Sequence, residues 1–259
     1  MTCDVIQHYS DGSESDRLVR SAHGRLELLR TQELIRRVLT SPAKVLDVGG
    51  GTGVHAKWLA ADGHSVHLID PVPEHVLLAA ALPGVVAEVG DARRLPITDH
   101  SVDAVLMLGP LYHLTERTGR TTALREAIRV LRPGGIVVAA AISRYLSALE
   151  SGANGTLDET LVASVRAVIS TGEYDGHVGF MRTHWHTADE LRTEIEATGL
   201  SEVQVYGIEG PAWPALDHAD PLSVPALMTA ALRCARLLEQ DPQIINTSAH
   251  LMAIARTAS

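Results

Sequence analysis

The nine residues Val45-Leu46-Asp47-Val48-Gly49-Gly50-Gly51-Thr52-Gly53 constrain the fold of this chain more tightly than any other segment. A short apolar, β-branched run feeds a turn in which four of five residues are glycine. Glycine tolerates positive φ and carries no Cβ, so such a turn admits a ligand close to its backbone. Val54–Ala61 follows with a helical pattern, and Gly63 ends it. Strand, glycine turn and helix together read as the opening unit of a doubly wound sheet with a nucleotide-like ligand at its first turn. Single residues separate Gly49, Gly51 and Gly53. Dinucleotide-binding turns space their glycines as G-x-G-x-x-G, and no Gly-Lys-Ser/Thr closes this one as in a P-loop.

The alternation then repeats. Strands are expected at Lys44–Val48, Ser65–Ile69, Val85–Val89, Val102–Leu108 and Ile136–Ile142, with helices at Glu74–Leu82 and Thr121–Leu131. Apolar residues from Asp16 to Leu39 recur at helical spacing ahead of the sheet, and Pro42 stops them. After Ile142 the rhythm breaks. Residues 143–187 carry Gly152, Gly155, Gly172, Gly176 and Gly179 around one apolar helix near Leu157–Ile169. A helix at Thr187–Thr198 and a strand at Glu202–Ile208 resume the sheet. Residues 209–247 are punctuated by Pro211, Pro214, Pro221 and Pro225 and hold a helix near Val224–Glu239, before a last strand at His250–Ala255. The expected architecture is α/β: a doubly wound, mostly parallel, seven-stranded sheet in one domain over 1–259. Helices over 14–40 precede a ligand-binding core over 43–142. Segments 143–187 and 209–247 are expected to cap the carboxyl ends of the strands.

The composition suits that architecture: 46% hydrophobic but only 3% aromatic residues require a Val, Leu, Ile and Ala core, the usual content of a sheet buried on both faces. A net charge of −9 argues against a nucleic-acid partner, which needs clustered positive charge. Cys3 and Cys234 fit neither a disulfide framework nor a metal site. The polar N-terminus resembles no secretory signal, and no apolar run approaches the ~20 residues of a membrane span. A cytoplasmic protein without a membrane partner is expected.

Asp47-x-Gly49-x-Gly51-x-Gly53 resembles the first motif of class I S-adenosylmethionine (SAM)-dependent methyltransferases. The resemblance extends through four further motifs and covers roughly residues 40–142. Asp70 closes the second strand, where the family places a carboxylate on both ribose hydroxyls; a carboxylate offers two acceptor oxygens. Gly90-Asp91-Ala92 is similar to the adenine-contacting motif, with Asp91 accepting from the exocyclic amine. Leu108-Gly109-Pro110-Leu111-Tyr112-His113 resembles the segment beside the reactive methyl, and Leu131-Arg132-Pro133-Gly134-Gly135 another family signature. Taken singly, Asp70 and Asp91 read equally well as helix caps. An NAD(P)-dependent reductase is the main alternative cofactor reading, since Asp70 also suits a nicotinamide ribose, and a non-catalytic SAM-binding regulator is another.

The resemblance implies SAM as cofactor and a small-molecule acceptor of secondary metabolism. Tyr112, beside the reactive methyl, is a candidate acceptor contact. His113 is a candidate base, needed only if the acceptor must lose a proton. Further along, Glu173 sits in a glycine-flanked loop, Arg182, His184 and His186 form a candidate anion clamp, and Trp213 offers an aromatic face. A base, a clamp and an aromatic face resemble what prenyl diphosphate C-methyltransferases require, with Mg2+ if the acceptor is a diphosphate. Methylation of nitrogen or oxygen on an aromatic or amine metabolite is the rival. No Cys or carboxylate stands at zinc-ligand spacing from His184 and His186, so no metal site is expected from the sequence.

Overall fold

The strands are Lys44–Val48 (β1), Ser65–Asp70 (β2), Val85–Val89 (β3), Val102–Met107 (β4), Leu131–Ile142 (β5), Ser201–Gly207 (β8) and His250–Arg256 (β9). They form one sheet in the order β3-β2-β1-β4-β5-β9-β8. β1 to β5 pair in parallel, and β9 runs antiparallel to both β5 and β8. The chain leaves β8 at Gly207 and re-enters the sheet at His250 from the same end, and such a return gives an antiparallel neighbour. Glu173–Tyr174 (β6) and Thr183–His184 (β7) make a separate antiparallel ribbon. This computed structural model describes residues 17–177, 180–217 and 219–258. Cys3, Gly179 and the expected helical residues 14–16 lie outside the described residues.

Alternate side chains of each inner strand enter opposite cores. Val137, Ala139 and Ala141 of β5 join one cluster with Leu46 and Val48, while Ile136 and Val138 join the other with Val45 and Leu68. Helices cover both faces. Arg117–Val130 (α6) and Ala188–Glu196 (α9) pack on the first face; Ala22–Val38 (α2), Val54–Ala61 (α3) and Pro73–Ala80 (α4) pack on the second. A parallel sheet is stable only when both faces are buried in this way. Local signals agree with the packing. Ser21 caps α2 through Gly24 N at 2.9 Å, and Thr187 with Glu190 forms a capping box at the start of α9.

Most boundaries shift by a residue or two, and three differences from the sequence expectation are larger. The helix before β5 begins at Arg117 rather than Thr121, because Arg120 is buried against Glu194 and breaks the apolar pattern. β5 begins at Leu131, which pairs with Val102, so the Arg132–Gly135 signature belongs to the strand. Segment 143–187 holds a helix without a clear sequence signal, Leu146–Asn154 (α7), before Glu159–Thr171 (α8). The remaining short or late helices are Arg17–Arg20 (α1), Pro110–His113 (α5), Pro214–Asp217 (α10) and Val224–Leu238 (α11). Among the described residues no helix is long and apolar enough to cross a membrane.

Candidate active site

A cleft of about 1110 Å³, including its open mouth, lies at the carboxyl ends of β1 and β4. There the strand order reverses, and the crevice between diverging connections is where such sheets take ligands. Its floor is the turn after β1. Gly49, Gly51 and Gly53 have φ of +70°, +57° and +87°, the left-handed region that side chains other than glycine rarely adopt. At Gly51 a Cβ would meet nothing within 4 Å; the space above it is open cleft. Gly53 differs, since its Cβ would lie 2.6 Å from Leu82 Cδ1. It starts α3 and does not line the cleft.

Two carboxylates stand over that floor. Asp70 is buried at the end of β2 and accepts Gly51 N and Val72 N, each at 2.9 Å, with His75 Nδ1 at 3.2 Å. Asp47 is also buried, and its Oδ2 has no hydrogen-bond partner. Burial, reinforced by the negative charge of Asp70, pushes the Asp47 carboxyl up to about 7. A buried orphan acceptor beside an open glycine turn suits a cationic ligand, whose positive charge would restore the ionised form. The residues therefore fit SAM.

The raised value has a sign that can be checked. An acid protonated more readily in the folded than in the unfolded chain destabilises the fold as pH rises between its two pKa values, here from about 4 to about 7. The cost reaches a few kcal/mol at most by that linkage. Asp47→Asn should therefore raise the melting temperature of cofactor-free protein at pH 8 and change it little at pH 5, while weakening SAM binding. Equal melting shifts at both pH values would remove the ionisation argument.

Residues 45–135 match the family described as a methyltransferase domain. An uncharacterized methyltransferase of Mycobacterium tuberculosis is 44% identical over 93 residues, 36% of this chain; the match spans only 37% of that relative. The demethylmenaquinone methyltransferase of Mycolicibacterium vanbaalenii is 32% identical over 173 residues, covering 66% of this chain and 74% of the relative. This chain belongs to the class I SAM-dependent methyltransferases. A Thermotoga maritima methyltransferase described as a possible histamine N-methyltransferase superposes with a TM-score of 0.62 over 99% of this chain and 100% of that one. At 17% identity it speaks for the methyltransferase fold alone.

Asp47, Gly49, Gly51, Asp70, Leu108, Tyr112 and His113 all line the methyltransferase cleft. Tyr112 and His113 come from α5, the single turn after β4, with ring centroids 4.6 Å apart. Two other cofactor candidates do not line it. The Asp91 carboxylate takes Arg93 Nε at 3.0 Å and Nη2 at 2.6 Å, which holds it well below the usual carboxylate range. Ala92 is core.

None of the late candidates lines the cleft, and this corrects the grouping read from the sequence. Glu173 is exposed on β6 and Arg182 is exposed just before β7. His186 is fully buried with Nε2 3.3 Å from Glu194, which Arg120 also binds. Burial first, then the nearby charges of His186 and Arg120, pushes the His184 imidazole down to about 3. A neutral His184 and a sealed His186 hold no anion. Trp213 is fully buried, donates Nε1–H to Thr247 O at 3.0 Å and stacks on His23 at 4.6 Å. Its ring anchors the packing of α10 and α11 and does not reach the cleft.

Sequence reasoning missed the wall opposite the turn. Leu18, Glu27 and Thr31, from α1 and α2, line the cleft with Ile208 and His250. No described residue of 143–187 or 209–247 lines it, although Phe180 lies 6.0 Å from the His113 ring. Glu27 and Thr31 lie four residues apart on one face of α2. Glu27 was hidden because a lone glutamate in an amphipathic helix reads as solvated surface.

Proposed function

We propose that this chain transfers the methyl group of SAM to nitrogen or oxygen of a small, uncharged or cationic metabolite. One observation carries the reading: among the described residues the cleft is lined by Glu27, Asp47 and Asp70 and by no Arg or Lys. A diphosphate would need compensating cations there, so the exposed Arg182 gives little support to a prenyl diphosphate acceptor or to Mg2+ on its account. A neutral phenol or hydroquinone, or an amine, enters such a field without penalty. The relative named for demethylmenaquinone supports an acceptor without a diphosphate.

Bound SAM supplies an electrophilic methyl on a sulfonium. Asp70 would hold its ribose end, and Asp47 would face its positive charge. Leu108 and Gly109 bring α5 against the Gly49 turn, where Pro110 lies within 3.0 Å of the position of a Gly49 Cβ. On this reading that contact would set Tyr112 and His113 beside the reacting methyl group. Tyr112 would orient the acceptor and His113 would take the proton that a hydroxyl or ammonium acceptor must lose. The reading is tested by incubating purified protein with labelled SAM and phenols, hydroquinones, amines, and geranyl and farnesyl diphosphate. Label on the nitrogen or oxygen of a phenol, hydroquinone or amine is expected. Label only in a diphosphate would overturn this reading. With a methylated acceptor in hand, His113→Gln should lower turnover by about 10²–10⁴-fold with little change in SAM affinity, the usual range for a lost general base.

A further inference from the structure

The geometry points to a binding site for a divalent first-row transition-metal ion of the zinc class, held by His23 Nε2, Glu209 Oε1 and His250 Nδ1, with Glu27 within reach. These residues come from α2, the segment just after β8 and the start of β9. One ring nitrogen of each histidine and one Glu209 carboxylate oxygen lie within 4.8 Å of one another. Glu209 is fully buried, with Oε1 2.6 Å from His250 Nδ1 and 3.8 Å from His23 Nε2. Glu27 Oε2 approaches His250 Nδ1 to 3.7 Å. Two imidazoles and two carboxylates suit zinc, cobalt or manganese, and two imidazoles are a poor set for Mg2+.

Three independent features mark a ligand site rather than a chance cluster. First, His23 Nε2 is buried and makes no hydrogen bond within 3.5 Å, its nearest facing acceptor being Glu209 Oε1 at 3.8 Å, although a buried polar atom ordinarily has a closer partner. Second, the other nitrogen of that ring, Nδ1, faces Asp217 Oδ1 at 3.3 Å, and Trp213 stacks on the ring at 4.6 Å. Metal-bound histidines are oriented by such an outer carboxylate, which leaves the opposite nitrogen as the ligand. Third, Glu209 is itself held, its Oε2 accepting Ser248 Oγ at 2.7 Å and His250 N at 2.9 Å. The site also has an entrance, because Glu27 and His250 line the methyltransferase cleft. Ligand atoms on one such ion lie about 2.0–2.2 Å from it. The His250–Glu209 hydrogen bond therefore opens as the ion takes the place of its proton.

An ion there would present an open position to the cleft for the acceptor heteroatom. That role rests on the proposed N- or O-methylation; metal uptake itself does not, and it is read without turnover. The test strips the purified protein with chelator and titrates it with Co2+, Zn2+ and Mg2+, following heat and the visible d–d absorption of Co2+. One equivalent of Co2+ or Zn2+ is expected, with no heat from Mg2+. His23→Gln should abolish stoichiometric uptake. Asp217→Asn should weaken it by about 10–100-fold, as loss of an outer-layer partner does. SAM titration of the same variants checks that the cleft is intact, and it guards against reading misfolding as loss of a ligand. Absent stoichiometric uptake by wild type, or uptake unchanged in His23→Gln, would overturn the site and leave a cluster held together by protons alone.

Discussion

Gly51→Val should abolish SAM binding while the chain still folds. The residue sits at φ +57°, and a Cβ built on it meets no protein atom within 4 Å. The valine therefore displaces only what fills the cleft. Left-handed backbone costs a side-chain-bearing residue about 1–2 kcal/mol, which lowers the melting temperature of a domain this size by a few degrees. Calorimetric titration should show no SAM binding, while circular dichroism keeps its cooperative transition. Gly53→Val is the contrast. There Leu82 and Ala79 occupy the space, at 2.6 Å and 3.4 Å, so folding itself should suffer. Gly51→Asn separates strain from obstruction, because Asn tolerates positive φ and still projects into the cleft. Normal SAM affinity in Gly51→Val would place the cofactor elsewhere.

Asp70→Ala should weaken SAM binding by about tenfold to more than a hundredfold for each ribose hydroxyl released, the worth of a hydrogen bond to a charged group, about 1.5–3 kcal/mol. The same carboxylate also holds Gly51 N and Val72 N, so its loss strips two amides of their acceptor and lowers stability as well. Asp70→Asn divides the two effects. It keeps one acceptor oxygen but turns the other into a donor facing a backbone amide, so it should lose less stability than Asp70→Ala while still binding SAM weakly. Titration of NADH against wild type completes the test. Unchanged SAM affinity in Asp70→Ala would reject the assigned role of Asp70, and binding of NADH in place of SAM would reject SAM as the ligand of this cleft.

The order of strands and helices through Ile142 was legible because its signals are local. Val45–Gly53 carries β-branched residues, a turn needing positive φ and a helix in succession, and each is decided by neighbours in the chain. The Asp70 position was legible for the same reason, since a residue closing a parallel strand projects at the ligand end whatever packs around it. Asp91 shows the limit of that rule. It also follows a strand, but Arg93 two residues later takes its carboxylate, and local spacing does not tell a ligand contact from a turn contact.

What the sequence left undecided was partnership over distance. Trp213, Glu173 and the histidine pair looked like one acceptor site because their chemistry was complementary. Packing instead sank Trp213 against His23, buried His186 on Glu194 and left Glu173 in solvent. The sequence by itself determined the doubly wound sheet and the glycine turn with its carboxylates, because those follow from backbone conformation and hydrophobic period. Only the tertiary structure decided that α2 lays Glu27 across the cleft and gathers His23, Glu209 and His250. The second of these neighbours lies 186 residues from the first and 41 from the third, and no period or spacing links positions that meet only when β9 inserts between β5 and β8.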